Sequence, residues 1–478
     1  MTTLRQRLYK PALALLALVL LVGVSFTQEK LNAQRTTLGL TRQVDLAKNA
    51  PPVLVFTTVA LGGFRGLIVN ALWIRAMDLQ DDGKYFEMVQ LADWITKLQP
   101  HFTTVWVVQA WNMAYNISIK FNDPRDRWMW VQRGIELLRD QGLKYNPRET
   151  LIYRELSWFY QHKMGANLDD AHVFFKQAWA EEMQRVLGGG RTNYLDLLDP
   201  KTDDARRRLH LLTEKYKLDP RAMKKVDDLY GPLEWRLPEA HAVYWAVQGR
   251  EQGRKEEQIT LRRVVFHSLQ LSFHRGRIIG NVTNLFDLGP NLDIVQRAND
   301  SYEQMMEEDE IIRTSPGHKN FLKTAVYFLY SHNRLAEAAK WFAYLKQKYP
   351  DSVPRDQTYD EFAFERVQEE VGETSRDRTQ AVIEGLYATS LYHLAMGDDD
   401  AAAGNALLAE RIWERYVSKT RGSEIRIALP ALKVLKQSAL EKLLDPEQGL
   451  SEELQRQLRS KLPSSTNAPA ASPPSGSQ

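Results

Sequence analysis

The chain has 478 residues, 26% of them charged, and a net charge of only +3. Acids and bases are interleaved along it, which excludes the basic stripe of a nucleic-acid binder. Cysteine is absent, which excludes disulfides, thiolate zinc sites, iron–sulfur clusters, a thiol nucleophile and a lipid-modified cysteine near the N-terminus.

Residues 1–10 carry Arg5, Arg7 and Lys10 and no acid, and from Pro11 to Phe26 the chain is uncharged and mostly Ala, Leu and Val. A basic start before an apolar run engages a membrane, keeping its basic side in the cytoplasm and exporting the rest of the chain. A spanning helix takes about 20 residues. Residues 8–26 approach that length, with Lys10 snorkelling to the interface. The expectation for 1–30 is therefore a single-pass signal anchor; cleavage after Ser25 is the alternative. Both put the body on the extracytoplasmic, periplasmic side. Residues 31–63 read as a connector with a second apolar stretch, Val53–Ile74, that contains Arg65, Asn70 and the pair Gly62-Gly63. An arginine near the centre of a span costs about 2.5–3.5 kcal/mol, so this stretch reads as a buried or membrane-surface helix; the alternative is that it spans, which returns the body to the cytoplasm.

From residue 64 the pattern is helical. Apolar residues recur at three- and four-residue steps, as in Trp106-Ala110-Met113-Ile117 and Leu322-Ala325-Leu329, and segments end at Gly, Pro or Asp. The loops Asp81-Asp82-Gly83, Asn122-Asp123-Pro124 and Ser331-His332-Asn333 are short, which makes neighbouring helices antiparallel. Two-helix units are predicted over 69–102, 103–148 and 150–187, within a tryptophan-rich region 64–199. Residues 200–237 read as an irregular connector with one helix near 203–217. Further units occupy 238–275, 319–352 and 383–420, with a helix over 291–313 and a closing helix near 427–445, within a region 238–446. Residues 447–478 read as a helix remnant and a Pro/Ser/Ala tail, disordered from Leu462 onward.

Ala171, Phe175 and Ala178 place a small residue, an aromatic four later and a small residue three after that. Ala338, Phe342 and Leu345 nearly match; Ala402, Ala406 and Ala409 keep the spacing without the aromatic, and Met88, Ala92 and Ile95 keep it loosely. Pro100 and Pro350 close their units. This pattern resembles the tetratricopeptide repeat in degenerate form, with Val326 and Leu329 departing from its preferences. Small residues let helix axes approach while the aromatic fills the gap between units. The resemblance implies an all-α, right-handed solenoid of antiparallel helix pairs behind the anchor helix, with a concave groove that binds peptides or protein segments.

Motifs for chemistry are sparse. None of the ten histidines makes an H-E-x-x-H pair. His267 and His274 are seven apart on one helix face, too far for one metal unless His241 approaches from the preceding helix. Gly62-Gly63-Phe64-Arg65-Gly66 lacks the ending of a phosphate-binding loop. Gly188-Gly189-Gly190 reads as a helix stop. The acidic run Glu303–Glu310 reads as a solvated helix face, and Asp398-Asp399-Asp400 as the acidic start of a helix. No Gly-x-Ser-x-Gly occurs, and the triplets at Asn116 and Asn281 that fit a glycosylation acceptor carry little weight. No metal or cofactor is expected. An enzyme would have to draw on His241, His267 and Glu234.

Tryptophan is the most informative residue type. Eight of the twelve lie between Trp73 and Trp179. Trp128 and Trp130, two apart, cannot share a helix face, and Trp is favoured both in grooves and at bilayer surfaces. Trp106, Trp111, Trp128, Trp130 and Trp158 are therefore the candidate partner-binding residues. The expected function is a membrane-tethered scaffold that holds other proteins or peptide segments, in envelope, secretion or surface-polymer assembly. The alternative is a glycan- or lipid-binding helical module using the same tryptophans.

Overall fold

The computed structural model of the chain describes residues 64–253, 258–283, 286–308, 316–371, 376–420, 429–446 and 449–462, with scattered positions between 15 and 37. The expected anchor over 8–26 and connector over 31–63 lie largely outside the described residues, and the tail 463–478 lies wholly outside them. Among the described residues no helix is long and apolar enough to cross a membrane.

Among the described residues the body is all-helical apart from one hairpin. α1 (Phe64–Asp81) and α2 (Tyr85–Leu98) form the first pair. α3 (Thr103–Trp111) runs on through π-helical turns, Asn112–Ile117, and a 3-10 turn, Ser118–Lys120. α4 (Pro124–Glu136) continues as π turns over Leu137–Gly142, and α5 (Thr150–Trp158) as π turns over Phe159–Gly165. α6 (His172–Leu187) ends where Gly188 takes a φ of 89°, a left-handed backbone that suits glycine.

Asp123 starts α4: its side chain accepts from the backbone N–H of Arg125, and Pro124 fills the first helical position. Asp123→Ala is expected to cost about 1 kcal/mol, read as a lower urea midpoint.

A short helix, α7 (Tyr194–Leu198), precedes the connector, and the connector holds more structure than its sequence suggested: α8 (Asp203–His210) with π turns over Leu211–Lys215 is the expected helix, and α9 (Pro220–Tyr230) is a further one. Asp219 caps α9, and Met223 and Val226 bury its inner face. This segment loops out, because α5 packs directly on α10 (Pro238–Gln252), which pairs with α11 (Gln258–Arg275). A Cβ on Gly249 would come within 2.6 Å of the Cβ of Tyr153, so glycine is what lets α10 approach α5.

The hairpin was not expected. β1 (Arg277–Gly280) and β2 (Phe286–Gly289) pair antiparallel with Ile278 opposite Leu288 and Ile279 opposite Asp287. Next along the chain are α12 (Val295–Glu308), α13 (Gly317–Ser331), α14 (Leu335–Lys348), α15 (Tyr359–Val371), α16 (Arg376–Met396) and α17 (Asp399–Thr420), then α18 (Leu432–Leu443) and α19 (Glu452–Lys461). The last replaces the expected helix remnant: Leu454 and Leu458 are buried, and the helix docks on α16.

One continuous apolar core runs from Trp106 to Leu458, with smaller clusters between α1, α2 and α3. Phe175, Ala338, Phe342, Leu345 and Ala409 are fully or nearly buried. Ala171 and Ala402 are buried, and Ala178 and Ala406 half-buried. Ala171 sits at the N-cap of α6, one residue outside the helix.

Asp398 does more than start α17. Its side chain is 1% exposed and meets the Arg277 guanidinium at 2.5 Å. Asp287 accepts the Tyr392 hydroxyl at 2.6 Å. The hairpin thus clasps α16 and α17 to the end of α11.

Candidate functional site

α3, α5 and α11 enclose a groove of about 420 Å³ lined by Trp111, Arg154, Glu155, Trp158, Gln161, Thr260, Arg263, Val264 and His267. A smaller recess of about 230 Å³, lined by Trp73, Met77, Gln80, Val107, Val108, Trp111, Asn112 and Asn116, adjoins it and shares Trp111. The larger volume lies within the range of about 300–1,000 Å³ typical of ligand sites.

The groove rests on i, i+4 aromatic pairs. Trp111 stacks on Tyr115 with ring centroids 4.2 Å apart, and Trp158 on His162 at 4.4 Å. The Tyr115 hydroxyl lies 3.1 Å from His162 Nδ1, joining the two stacks. Burial, with the nearby Glu155 charge, pushes the Tyr115 hydroxyl far above its usual range. Burial, aided by the Lys163 charge, holds the His162 imidazole below its usual value. We therefore assign the proton to the hydroxyl, which donates to a neutral imidazole.

Beneath the platform Lys163 lies 5.0 Å from the Tyr115 ring centroid and pairs with Asp169 at 2.6 Å, and Arg127 holds the other oxygen of Asp169 at 2.9 Å. Gln161 donates to the Val264 carbonyl and the Ser268 hydroxyl, both at 3.0 Å, fixing the far wall to α5. At the rim Arg154 pairs with Glu155, whose side chain is only 7% exposed. The wall therefore offers two indoles, an ion pair and an imidazole to an incoming segment.

The predicted tryptophans separate into two sets. Trp106 and Trp128 belong to the core and offer no ring face to a partner. Trp106 donates to the Pro100 carbonyl at 2.8 Å, and Trp128 packs against Phe175 and Trp179. Trp130 is half-buried between Phe86 and Phe121, with the Arg133 guanidinium 4.8 Å from its ring centroid. Trp111, 40% exposed, and the half-buried Trp158 line the groove.

The three enzyme candidates do not meet. Both oxygens of Glu234 are taken by Arg236. His241 is fully buried among Tyr160, Trp179 and Trp235, and His267 alone lines the groove. Among the described residues no group of three His, Asp or Glu side chains could hold a metal ion.

Sequence reading missed Arg154, Glu155, Gln161, Thr260, Arg263 and Val264, because their grouping depends on α5 meeting α11. The i, i+4 spacing of Trp111–Tyr115 and Trp158–His162 was the one local signal. No family model matches the chain, and no curated protein or solved structure is detectably similar to it.

Proposed function

We propose that this chain is a membrane-tethered helical-repeat scaffold, with its body on the extracytoplasmic side, that grips a segment of another protein in the groove between α3, α5 and α11. The observation that carries the reading is the pair of indoles, each backed by a protein ring and both lining one groove. Rings held this way bury area on binding without a large loss of side-chain freedom, which is why Trp dominates binding hot spots. The degenerate tetratricopeptide reading is supported by the succession of helix pairs and by buried small and aromatic residues in α6, α14 and α17. The tether is supported by Arg5, Arg7 and Lys10 before an uncharged run. Envelope, secretion or surface-polymer assembly is the setting such a tethered scaffold would serve.

A photo-crosslinking residue at Arg154, on the groove rim, should capture a discrete partner in cells, whereas one at Leu195, 79% exposed on α7, should not. Trp111→Ala and Trp158→Ala should each weaken that complex by about 2 kcal/mol, roughly 30-fold, with helical circular dichroism unchanged. Equal capture at both positions, or none at Arg154, removes the reading. Tryptophan quenching by envelope glycans without protein capture would favour the glycan-binding alternative.

A further inference from the structure

α1 has two apolar faces. Val69, Ala76 and Leu79 are buried, and with Leu72 and Trp73 they pack toward α2 and α3. Leu67, Ala71 and Ile74, at i, i+4 and i+7, form a stripe on another side of the helix and are exposed, Leu67 by 65% and Ile74 by 63%. Scattered exposed apolar residues are ordinary, but a contiguous stripe calls for an occupant.

Two observations point to lipid. The stripe continues an uncharged stretch, residues 49–64, that includes Val53, Leu54, Val55 and Phe56 and meets its first charge at Arg65. Among the described positions of the first segment, Leu15, Leu16, Val19, Leu20, Val24 and Phe26 are helical and all exposed, and a helix apolar all round is suited to nonpolar surroundings. The intervening residues 27–52 reach at most about 90 Å when fully extended, so a body tethered by the first segment stays close to the same surface. Arg75, exposed beside Ile74, has a stem long enough to place its guanidinium among headgroups.

We propose that α1 docks in the membrane interface with its Leu67–Ala71–Ile74 stripe against lipid, so that the body is seated on the bilayer as well as tethered to it. α1 does not cross the bilayer, because its other face is committed to α2. The proposal takes its membrane setting from the tether reading above.

The absence of cysteine allows single labels. The full chain carrying Ile74→Cys, Leu16→Cys or Leu168→Cys is labelled with an environment-sensitive fluorophore and reconstituted in phosphatidylethanolamine–phosphatidylglycerol vesicles containing brominated lipid. All three side chains are exposed, so labelling leaves the core intact. The Leu16 and Ile74 labels are expected to shift to the blue and lose fluorescence to brominated lipid. The Leu168 label should respond only to iodide. An Ile74 label as open to iodide as Leu168, with Leu16 still quenched by lipid, overturns the docking and leaves the tether standing. Aqueous behaviour at both Leu16 and Ile74 overturns both. An Ile74 label shielded from both quenchers means that protein covers the stripe, which also overturns the docking.

Discussion

Acidification from pH 6.5 to 4 is expected to remove a large part of the protein's stability, through two histidines the fold encloses in the neutral form. His318 is fully buried, with Nδ1 2.8 Å from the Tyr349 hydroxyl and Nε2 2.8 Å from Asn299 Oδ1. A neutral ring fits if Tyr349 donates to Nδ1 and Nε2 donates to Asn299; a second proton would force the tyrosine hydroxyl to turn and accept, and would place a charge in the enclosed pocket. His241 lies 2.8 Å from the Trp235 carbonyl through Nε2, and its Nδ1 faces no partner among the surrounding rings. Burial, with Lys348 adding to it at His318 and Arg139 at His241, pushes both imidazoles down to about 4 from 6.5.

Between those values the unfolded chain binds more protons than the folded one, so stability is intact above pH 6.5 and falls as the pH drops towards 4. At about 1.4 kcal/mol per pH unit, each histidine contributes about 3 kcal/mol, a large part of the 5–15 kcal/mol by which proteins are ordinarily stable. Urea titrations at pH 7, 5.5 and 4 should show this slope, and His318→Gln and His241→Phe should each flatten part of it. A parent protein equally stable at pH 7 and 4 would show that the two rings are open to water.

Gly404→Ala is the second change expected to have a large effect. Gly404 lies in α17 against the end of α13, and a Cβ there would sit 1.9 Å from the Ser331 carbonyl oxygen and 2.3 Å from its carbon. The obstacle is backbone, which cannot swing aside as a side chain can. The cost should reach or exceed the upper end of the overpacking range, about 3 kcal/mol, seen as a clear fall in the melting temperature. At Gly385, in the adjacent α16, an added Cβ would meet nothing within 4 Å. Gly385→Ala should therefore be neutral or gain up to about 1 kcal/mol from helix propensity. Equal melting temperatures for the two variants would contradict the close crossing of α17 and α13.

The helices and their stops were legible because they are local. Three- and four-residue spacing marks α3 and α13, and the glycines after Leu187 mark the end of α6. What the sequence left open was which face meets which neighbour. Trp106 and Trp111 share a helix-forming segment, yet one is in the core, against Pro100 and Tyr145, and the other lines the groove with α5 and α11. Asp398 read as one of three acids at a helix start; its partner Arg277 is far away in the chain, and only folding brings them together. The β1–β2 hairpin escaped notice because its strands are four residues each, too short for alternation to show. α9 was hidden by its charges, since Met223 and Val226 leave only a narrow apolar stripe.

The π turns in α3, α4, α5 and α8 bear on the history of the chain. Each widens the helix locally and changes the phase at which the side chains beyond it emerge. In α5 the residues before the turn address α10, through Tyr153 and Gln252. Those within it meet α11 through Gln161, α3 through His162 and α10 again through Tyr160, which stacks on His241. Units with uniform helices are interchangeable, so an array of them can lengthen or shorten by duplication or loss. Helices that turn partway through are fitted to particular neighbours, and removing or copying one would leave faces without a match. α3, α4 and α5 therefore form an assembly of fixed length, able to diversify by substitution within its grooves but not by adding modules.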